Sequence, residues 1–385
     1  MVRYLSIASI LTLAGILSCV KPYEFDPQNF DKILVIEAQI SDAEGPYDTN
    51  ISFTYPLDTV LNETVNNATV WIEDEDGTEI HYSFVENGVY QTPASFRGEV
   101  NHTYSLHVTI GKDEYISEPE LLRAAPSIDT IYGQYVQKAS EVNNQFSGGI
   151  QFFIDSEETD QSFFRYEWTE AYKIVTPYPA SHYVLEDSSI VKMDTSLGIC
   201  YQEHFSNELI YGTRNNSTVN KMLEFPVRYV SEETQMLRTR YTILVKQFAI
   251  SEAAYLFYKQ IDENNESGGS LFDQQSGAVV GNIAHATDPS QAVIGFFEAA
   301  GVTEKRSFFN NRDLDERFDQ SSFPYYCRAI ESITTIPDSA YYYISTFGGN
   351  IYYYSTFPLE VGIQSMACTD CTFYADNTPP SYWEE

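Results

Sequence analysis

The sequence predicts a mainly β protein: an N-terminal immunoglobulin- or transthyretin-like β-sandwich, followed by a larger β-rich domain with one packed helix. Three observations carry this reading. Short runs of β-branched and aromatic residues recur with period-two alternation, the spacing at which one strand face meets a core. Glycine-bearing dipeptides separate the runs at hairpin distances. The 385 residues include 30 Tyr and 24 Phe, and 43% are hydrophobic. That is enough apolar surface to bury a core, so disorder is excluded for most of the chain.

The first elements follow in order. ILVIEAQI (33–40), NISFTY (50–55), ATVWIED (68–74), EIHYSFV (79–85), GVYQT (88–92), TYSLHVTI (103–110) and EYIS (114–117) read as strands of a sandwich spanning 32–122. Asp76-Gly77 lies between ATVWIED and EIHYSFV, where glycine supplies the positive φ of a tight turn. Asn87-Gly88 and Gly111-Lys112 mark further turns. Along TYSLHVTI, Tyr104, Leu106, Val108 and Ile110 share one face and are expected in the core, with His107 on the other. The prolines of PELLRAAPSIDTI (119–131) place a domain boundary there.

The second domain, 129–385, keeps β character in GGIQFFID (148–155), FFRYEWTEAYKIV (163–175), TRYTILVKQFAI (239–250) and AVIGFFEA (292–299). YYYIST (341–346) and IYYYST (351–356) also read as strands. A helix near 251–264 interrupts them. Ser251 is its N-cap, Glu252 suits the positive helix start, and Ala253, Phe257 and Ile261 recur at four-residue spacing. Gly268-Gly269 ends any continuation.

The N-terminus predicts the compartment. Residues 1–18, MVRYLSIASILTLAGILS, have a basic n-region and an apolar h-region, the pattern of a signal peptide. Ile16-Leu17-Ser18-Cys19 looks like a bacterial lipobox, in which the signal is cut before Cys19 and the thiol takes a diacylglycerol. Two or three acyl chains, at ~0.8 kcal/mol per buried CH₂, anchor a protein stably. Residues 19–31 then read as the lipidated cysteine and a flexible tether. Everything from Val20 onward is then expected outside the inner membrane, held by lipid.

Charge narrows the partners. There are 22 basic and 55 acidic residues, a net charge of −33. Nucleic acid is excluded as a partner because its phosphates call for Lys and Arg in excess. An anionic lipid surface is disfavoured on the same ground.

Four cysteines remain after Cys19: Cys200, Cys327, Cys368 and Cys371. An even number in an exported chain points to two disulfides, with three possible pairings. The C-x-x-C of Cys368 and Cys371 also raises a redox pair or a zinc site. The proline-rich tail after it cannot form the helix a redox pair opens, and zinc needs four converging thiolates.

Other constellations carry little chemistry. Glu73 to Gly77 is acidic but lacks the first and last ligands of a calcium loop, and reads as a solvated turn. Asn311, Asp313 and Asp315 alternate oxygens without the glycine such a loop needs. The six histidines are scattered, and no nucleophile elbow, phosphate loop or dinucleotide fingerprint occurs. A pair of glycosidase carboxylates leaves no local signature, so a hydrolase is the least favoured class; no catalytic residue, metal or cofactor is assigned. The runs Tyr341–Tyr343 and Tyr352–Tyr354, taken as strands, turn Tyr342 and Tyr353 away from their neighbours. Rings at a core edge are the plainer reading. The alternative is a carbohydrate- or peptide-binding module, with Tyr342 and Tyr353 as the contacts. Asp58-Thr59-Val60, Asp129-Thr130-Ile131 and Asp338-Ser339-Ala340 match a short O-glycosylation motif.

Several segments together resemble the Bacteroidota lipoprotein family known as domain of unknown function 4249. They are ILVIEAQISD, ATVWIEDEDG with NGVY, EPELLRAAPSIDTIY, RYTILVKQFAISEAAYLFYKQI, GSLFDQQSGAVVGNI with VIGFFEAAGVTEKRSFF, and the closing CTDCT…PPSYW. The family usually has a glycine-rich stretch and a Lys-Pro where this chain has Tyr374–Asn377 and Pro379-Pro380. It has no established activity, so no catalytic residues carry over. Its members are commonly encoded beside TonB-dependent outer-membrane transporters. The resemblance therefore implies a non-catalytic accessory or binding component of such a transporter or another envelope complex.

Overall fold

A computed structural model describes residues 32–55, 63–139, 146–193, 197–214, 219–266, 279–315, 318, 323–327 and 332–385. The signal peptide, Cys19, the tether, the Asp58–Val60 motif and Gly268-Gly269 lie outside the described residues. The chain is mainly β, as the alternating pattern predicts.

In chain order the first strands are β1 (Leu34–Ser41), β2 (Asp48–Phe53), β3 (Ala68–Asp74), β4 (Glu79–His81), β5 (Ser83–Phe84), β6 (Val89–Gln91), β7 (Thr103–Ile110), β8 (Asp113–Ser117) and β9 (Glu120–Leu121). Next come β10 (Ile128–Ala139), β11 (Phe146–Ser156), β12 (Phe163–Val175), β13 (His182–Val184), β14 (Ile190–Lys192), β15 (Ile199–Phe205), β16 (Ile210–Thr213), β17 (Phe225–Ser231) and β18 (Arg240–Ala249). Helix α1 (Glu252–Glu266) leads to β19 (Ile283–His285) and β20 (Val293–Asn310). The last elements are β21 (Ser332–Thr334), α2 (Pro337–Phe347), β22 (Asn350–Thr356), β23 (Leu359–Gln364) and the short α3 (Met366–Thr369).

Four sheets form. A nine-stranded sheet has the order β15-β12-β18-β20-β1-β2-β6-β5, with β16 also on β12. A six-stranded sheet runs β19-β8-β7-β3-β4, with β9 on β7; a three-stranded sheet runs β10-β11-β17; a five-stranded sheet runs β14-β13-β22-β23-β21.

The first core lies between the β1–β2 end of the long sheet and the six-stranded sheet. Ile36, Ile51, Val70, Ile72, Leu106 and Val108 are fully or almost fully buried there. On β7, Tyr104, Leu106 and Val108 point inward as their alternation predicts, and Ile110 is only half-buried. The Asp76-Gly77 turn joins β3 to antiparallel β4, with Gly77 at φ +78°. Asp74 Oδ1 accepts from the amides of Asp76 (2.9 Å) and Thr78 (2.8 Å), so this acidic run is a hydrogen-bonded hairpin turn.

The expected boundary at 122–129 lies between the smaller sheets, but the segment 32–122 does not close its own sheets. β1 pairs in parallel with the first half of β20, from Leu34↔Val293 to Ser41↔Ala300. The second half of β20 pairs antiparallel with β18. β19 also adds to β8. The reason is geometric. β20 is 18 residues long and spans both halves of the sheet. Satisfying the free edge of β1 inside the protein therefore needs chain from far downstream. Gln247 and Thr303 both donate to the Pro126 carbonyl oxygen at 2.7 Å, tying the boundary segment onto the shared sheet.

Helix α1 covers the opposite face of the long sheet, through a cluster of Phe248, Ala254, Phe257, Phe296 and Ala300. The Ser251 hydroxyl accepts from the Ala254 amide at 3.1 Å, the predicted N-cap bond. Phe257 and Ile261 face the sheet as expected, but Ala253 is exposed and Ala254 takes its place inside. Spacing of 254, 257 and 261 follows the same helical stripe.

One prediction fails outright. The Tyr341–Tyr343 run is in α2, a helix, and not in a strand. Pro337 at the first turn, Asp338 beside it and Gly348 at φ +77° after it punctuate a helix, and they override the β propensity of the tyrosines. No helix among the described residues is long and apolar enough to cross a membrane.

Candidate functional site

The candidate contact surface is a lobe formed by the five-stranded sheet and α2. Its small core contains Ala340, Ile351, Val361 and Ile363, with Tyr343, Ile344 and Tyr354 packed against it. Glycine makes one close approach possible. A Cβ on Gly362 of β23 would stand 2.9 Å from the Tyr352 ring, so the bare backbone lets that ring lie against the sheet.

Two disulfides staple the lobe: Cys200–Cys371, from β15 to the second residue past α3, and Cys327–Cys368. In both, the Cα atoms are 5.8 Å apart. The two cysteines of the C-x-x-C are thus bonded to different, sequence-distant partners and not to each other. Backbone bonds reinforce the join, from the Tyr178 amide to the Cys368 oxygen (3.1 Å) and from the Ala180 amide to the Thr369 oxygen (3.0 Å).

Tyr342 and Tyr353 are both exposed, at 66% and 45%, but they stand on different elements, α2 and β22. Tyr352 and Tyr354 are more covered than Tyr353, as alternation on a strand requires. The structure adds Phe347 at the end of α2 and Phe357 at the β22–β23 turn, the latter 95% exposed. Sequence reading missed both. The signal was the scarcity of charged side chains: residues 332–373 contain nine aromatic residues and only three charged ones, against 77 charged in the 385-residue chain.

The interior contains two charged networks that local sequence did not reveal. On the core side of β12, Glu170 is fully buried. Arg228 of β17 donates to both its oxygens at 2.9 and 2.8 Å, and the Tyr241 hydroxyl of β18 donates at 2.6 Å. The Arg228 guanidinium also lies 4.3 Å from the Trp168 ring centre. Burial alone pulls the Arg228 pKa down, but its hydrogen bonds and attraction to Glu170 prevail and raise it. Burial, then the Glu170 charge, drives the Tyr241 pKa well up. A carboxylate with these partners ties β12 to β17 and β18.

On the helix side of β12, the buried Arg165 binds Glu298 of β20 (2.8 Å), Glu167 and the Gln39 side-chain oxygen (2.9 Å). Its guanidinium sits 4.1 Å from the Phe248 ring centre. Tyr258 of α1 donates to Glu298 at 2.8 Å. Nearby, Glu120 is buried next to Ser251 and Asn282; burial pushes its carboxyl up to about 7 against opposing contributions from Ser251 and Arg123. Among the described residues, no group of three or more His, Cys, Asp or Glu is arranged to hold a metal ion.

These features define a mainly β protein of several sheets, with a disulfide-stapled aromatic lobe. The family model described as a domain of unknown function, DUF4249, matches residues 20–306, and the chain belongs to that family. The comparison with curated proteins gave no match.

Proposed function

We propose that this chain is a non-catalytic lipoprotein of the outer membrane, anchored by acyl chains on Cys19, facing outward at the cell surface of a Bacteroidota cell. In this reading it serves as an accessory or binding component of a TonB-dependent transporter or another envelope complex. The first pair of sheets is read as an immunoglobulin- or transthyretin-like sandwich near the membrane.

The observation that carries the reading is the contrast in surface chemistry. The 332–373 segment presents Tyr342, Phe347, Tyr353 and Phe357 with only three charged residues in 42, against 74 in the other 343. Charge depletion with exposed aromatic rings is the composition of a protein-contact core. A lipid anchor confines such a surface to the membrane plane and raises its effective concentration near a membrane partner without new contacts.

The test is recovery of the tagged protein from mild detergent, followed by identification of what comes with it. A transporter or envelope protein should co-purify with wild type and be lost in Phe357→Ser with Tyr342→Ser. Cys19→Ser should release the chain to the aqueous fraction. Isolation of the lipidated chain alone, across several detergents, refutes the accessory role. A chain that stays soluble with Cys19 intact refutes the anchor.

A further inference from the structure

A cleft of about 410 Å³ lies between α1 and the surface made by β1, β2 and β20. It is far in sequence from the aromatic lobe and uses none of its residues. Its volume is within the range of small-molecule sites.

The strand register builds its polar side. Glu37 of β1 lies directly opposite Asn50 of β2. Two residues further along each strand, on the same face, Gln39 and Asp48 also line the cleft. Two carboxylates and two carboxamides therefore form one compact grid. Two of the four are held in place. Gln91 donates to Asp48 Oδ1 at 2.8 Å. Arg165 donates to Gln39 Oε1 at 2.9 Å, which leaves the Gln39 NH₂ group available as a donor. Among the described residues, the Glu37 carboxylate and the Asn50 carboxamide have no hydrogen-bond partner. The opposite side is apolar: Phe257 and Ile261 of α1 with Phe296 of β20 beneath them.

The chemistry selects a ligand class. An anion meets two carboxylates in a chain of net charge −33 and is repelled. A bare cation uses the carboxylates but not the amide donors or the apolar side. A ring that carries hydroxyl donors and acceptors on its rim and C–H groups on its face uses all three. We propose that this cleft binds a neutral sugar unit, with Glu37 and Asn50 contacting its hydroxyls. The proposal does not rest on the lipid anchor or on the aromatic lobe.

The experiment is a glycan array with the full folded chain, followed by calorimetry on neutral, uronate-bearing and aminated oligosaccharides. Neutral sugars should bind. Glu37→Ala and Asn50→Ala, both exposed positions, should each weaken binding about tenfold with unchanged melting temperature. Tyr342→Ser should leave it unchanged. Carbodiimide labelling of Glu37 and Asp48, read by mass spectrometry, should fall when the sugar is present. The proposal is overturned by no neutral-sugar binding, by a preference for uronates or a basic peptide, by binding that survives both alanine variants, or by undiminished labelling. Loss of the membrane partner with retained sugar binding would overturn only the accessory role.

Discussion

Gly295 of β20 lies so close against Ile36 of β1 that a Cβ added to the glycine would stand 1.8 Å from the Ile36 carbonyl oxygen. The two are paired in the parallel ladder that joins the halves of the long sheet. Gly295 also has φ +146°, a backbone conformation open to glycine and strained for other residues. A second glycine, Gly281, packs on Gly295 from the other side, since its own added Cβ would stand 1.6 Å from the Gly295 oxygen.

Gly295→Ala should therefore cost about 1–3 kcal/mol from the dihedral alone and a similar further amount from overlap. Gly111→Ala is the control. Gly111 has φ +66° but nothing within 4 Å of the added Cβ, so only the dihedral cost applies. Urea midpoints of the two variants should differ, with Gly295→Ala the lower. Equal midpoints would show that the β1–β20 contact does not limit stability.

Breaking the Glu170–Arg228 pair by one partner should be severe. Arg228→Met leaves a fully buried carboxylate with the Tyr241 hydroxyl and the His204 ring (3.7 Å) but no arginine to stabilise it, and the expected loss is about 3–5 kcal/mol. Glu170→Leu combined with Arg228→Met should recover much of that loss, because no buried charge is then left unpaired. Tyr241→Phe removes one hydrogen bond to a charged group and should cost about 1.5–3 kcal/mol. Denaturation of the three variants checks the order; a double variant as unstable as Arg228→Met would show that packing, and not charge, sets the cost.

The order of these effects mirrors what the sequence could and could not reveal. Strands β1 to β3 and β6 to β8 were legible because Tyr104, Leu106 and Val108, and their counterparts on β1 and β3, alternate with polar neighbours, whereas EIHYSFV, expected as one strand, breaks at Tyr82 into β4 and β5, which join different sheets. The α1 helix was legible from Ser251 and its stripe. Helix α2 was misread because Tyr-Tyr-Tyr-Ile has high β propensity, although Pro337 and Gly348 framed it as a helix. The Ile36–Gly295 contact joins residues that no local window contains. Glu170, Arg228 and Tyr241 come from three strands, and a carboxylate gives no sign in sequence of which arginine will reach it. The cysteine count predicted two bonds, but geometry alone selects the pairing.

That pairing has unequal weight. Cys200–Cys371 closes a separation of 171 residues and Cys327–Cys368 one of 41. Chain entropy assigns about 5 and about 4 kcal/mol to loops of these lengths taken alone. The shorter loop lies inside the longer, so the two contributions do not add fully. Cys200→Ala with Cys371→Ala should also free the aromatic lobe from β15, whereas Cys327→Ala with Cys368→Ala should leave that join intact. Proteolysis between β15 and β22 should rise in the first variant and much less in the second. Equal protection in both would place the join in the backbone bonds from Tyr178 and Ala180.

Glu120 gives the fold a pH dependence of its own. Its carboxyl has an ordinary value of 4.5 and is pushed up to about 7 in the folded chain, chiefly by burial. Between these values the folded state holds a proton that the unfolded state has lost, so stability falls as pH rises through the window and levels off above it. A rise of that size corresponds to up to about 3 kcal/mol. His182 acts in the opposite sense. Burial, then Lys192, lowers its pKa, so its contribution is lost as pH falls. The two are separated by Glu120→Gln, which keeps the shape and hydrogen-bonding capacity of the protonated acid but cannot titrate. Urea unfolding from pH 4.5 to 8 should show wild type losing stability relative to Glu120→Gln as pH rises to 7. Parallel curves for the two proteins would mean that Glu120 ionises in the folded chain as it does in water, and that the Asn282 and Ser251 contacts around it compensate for its burial.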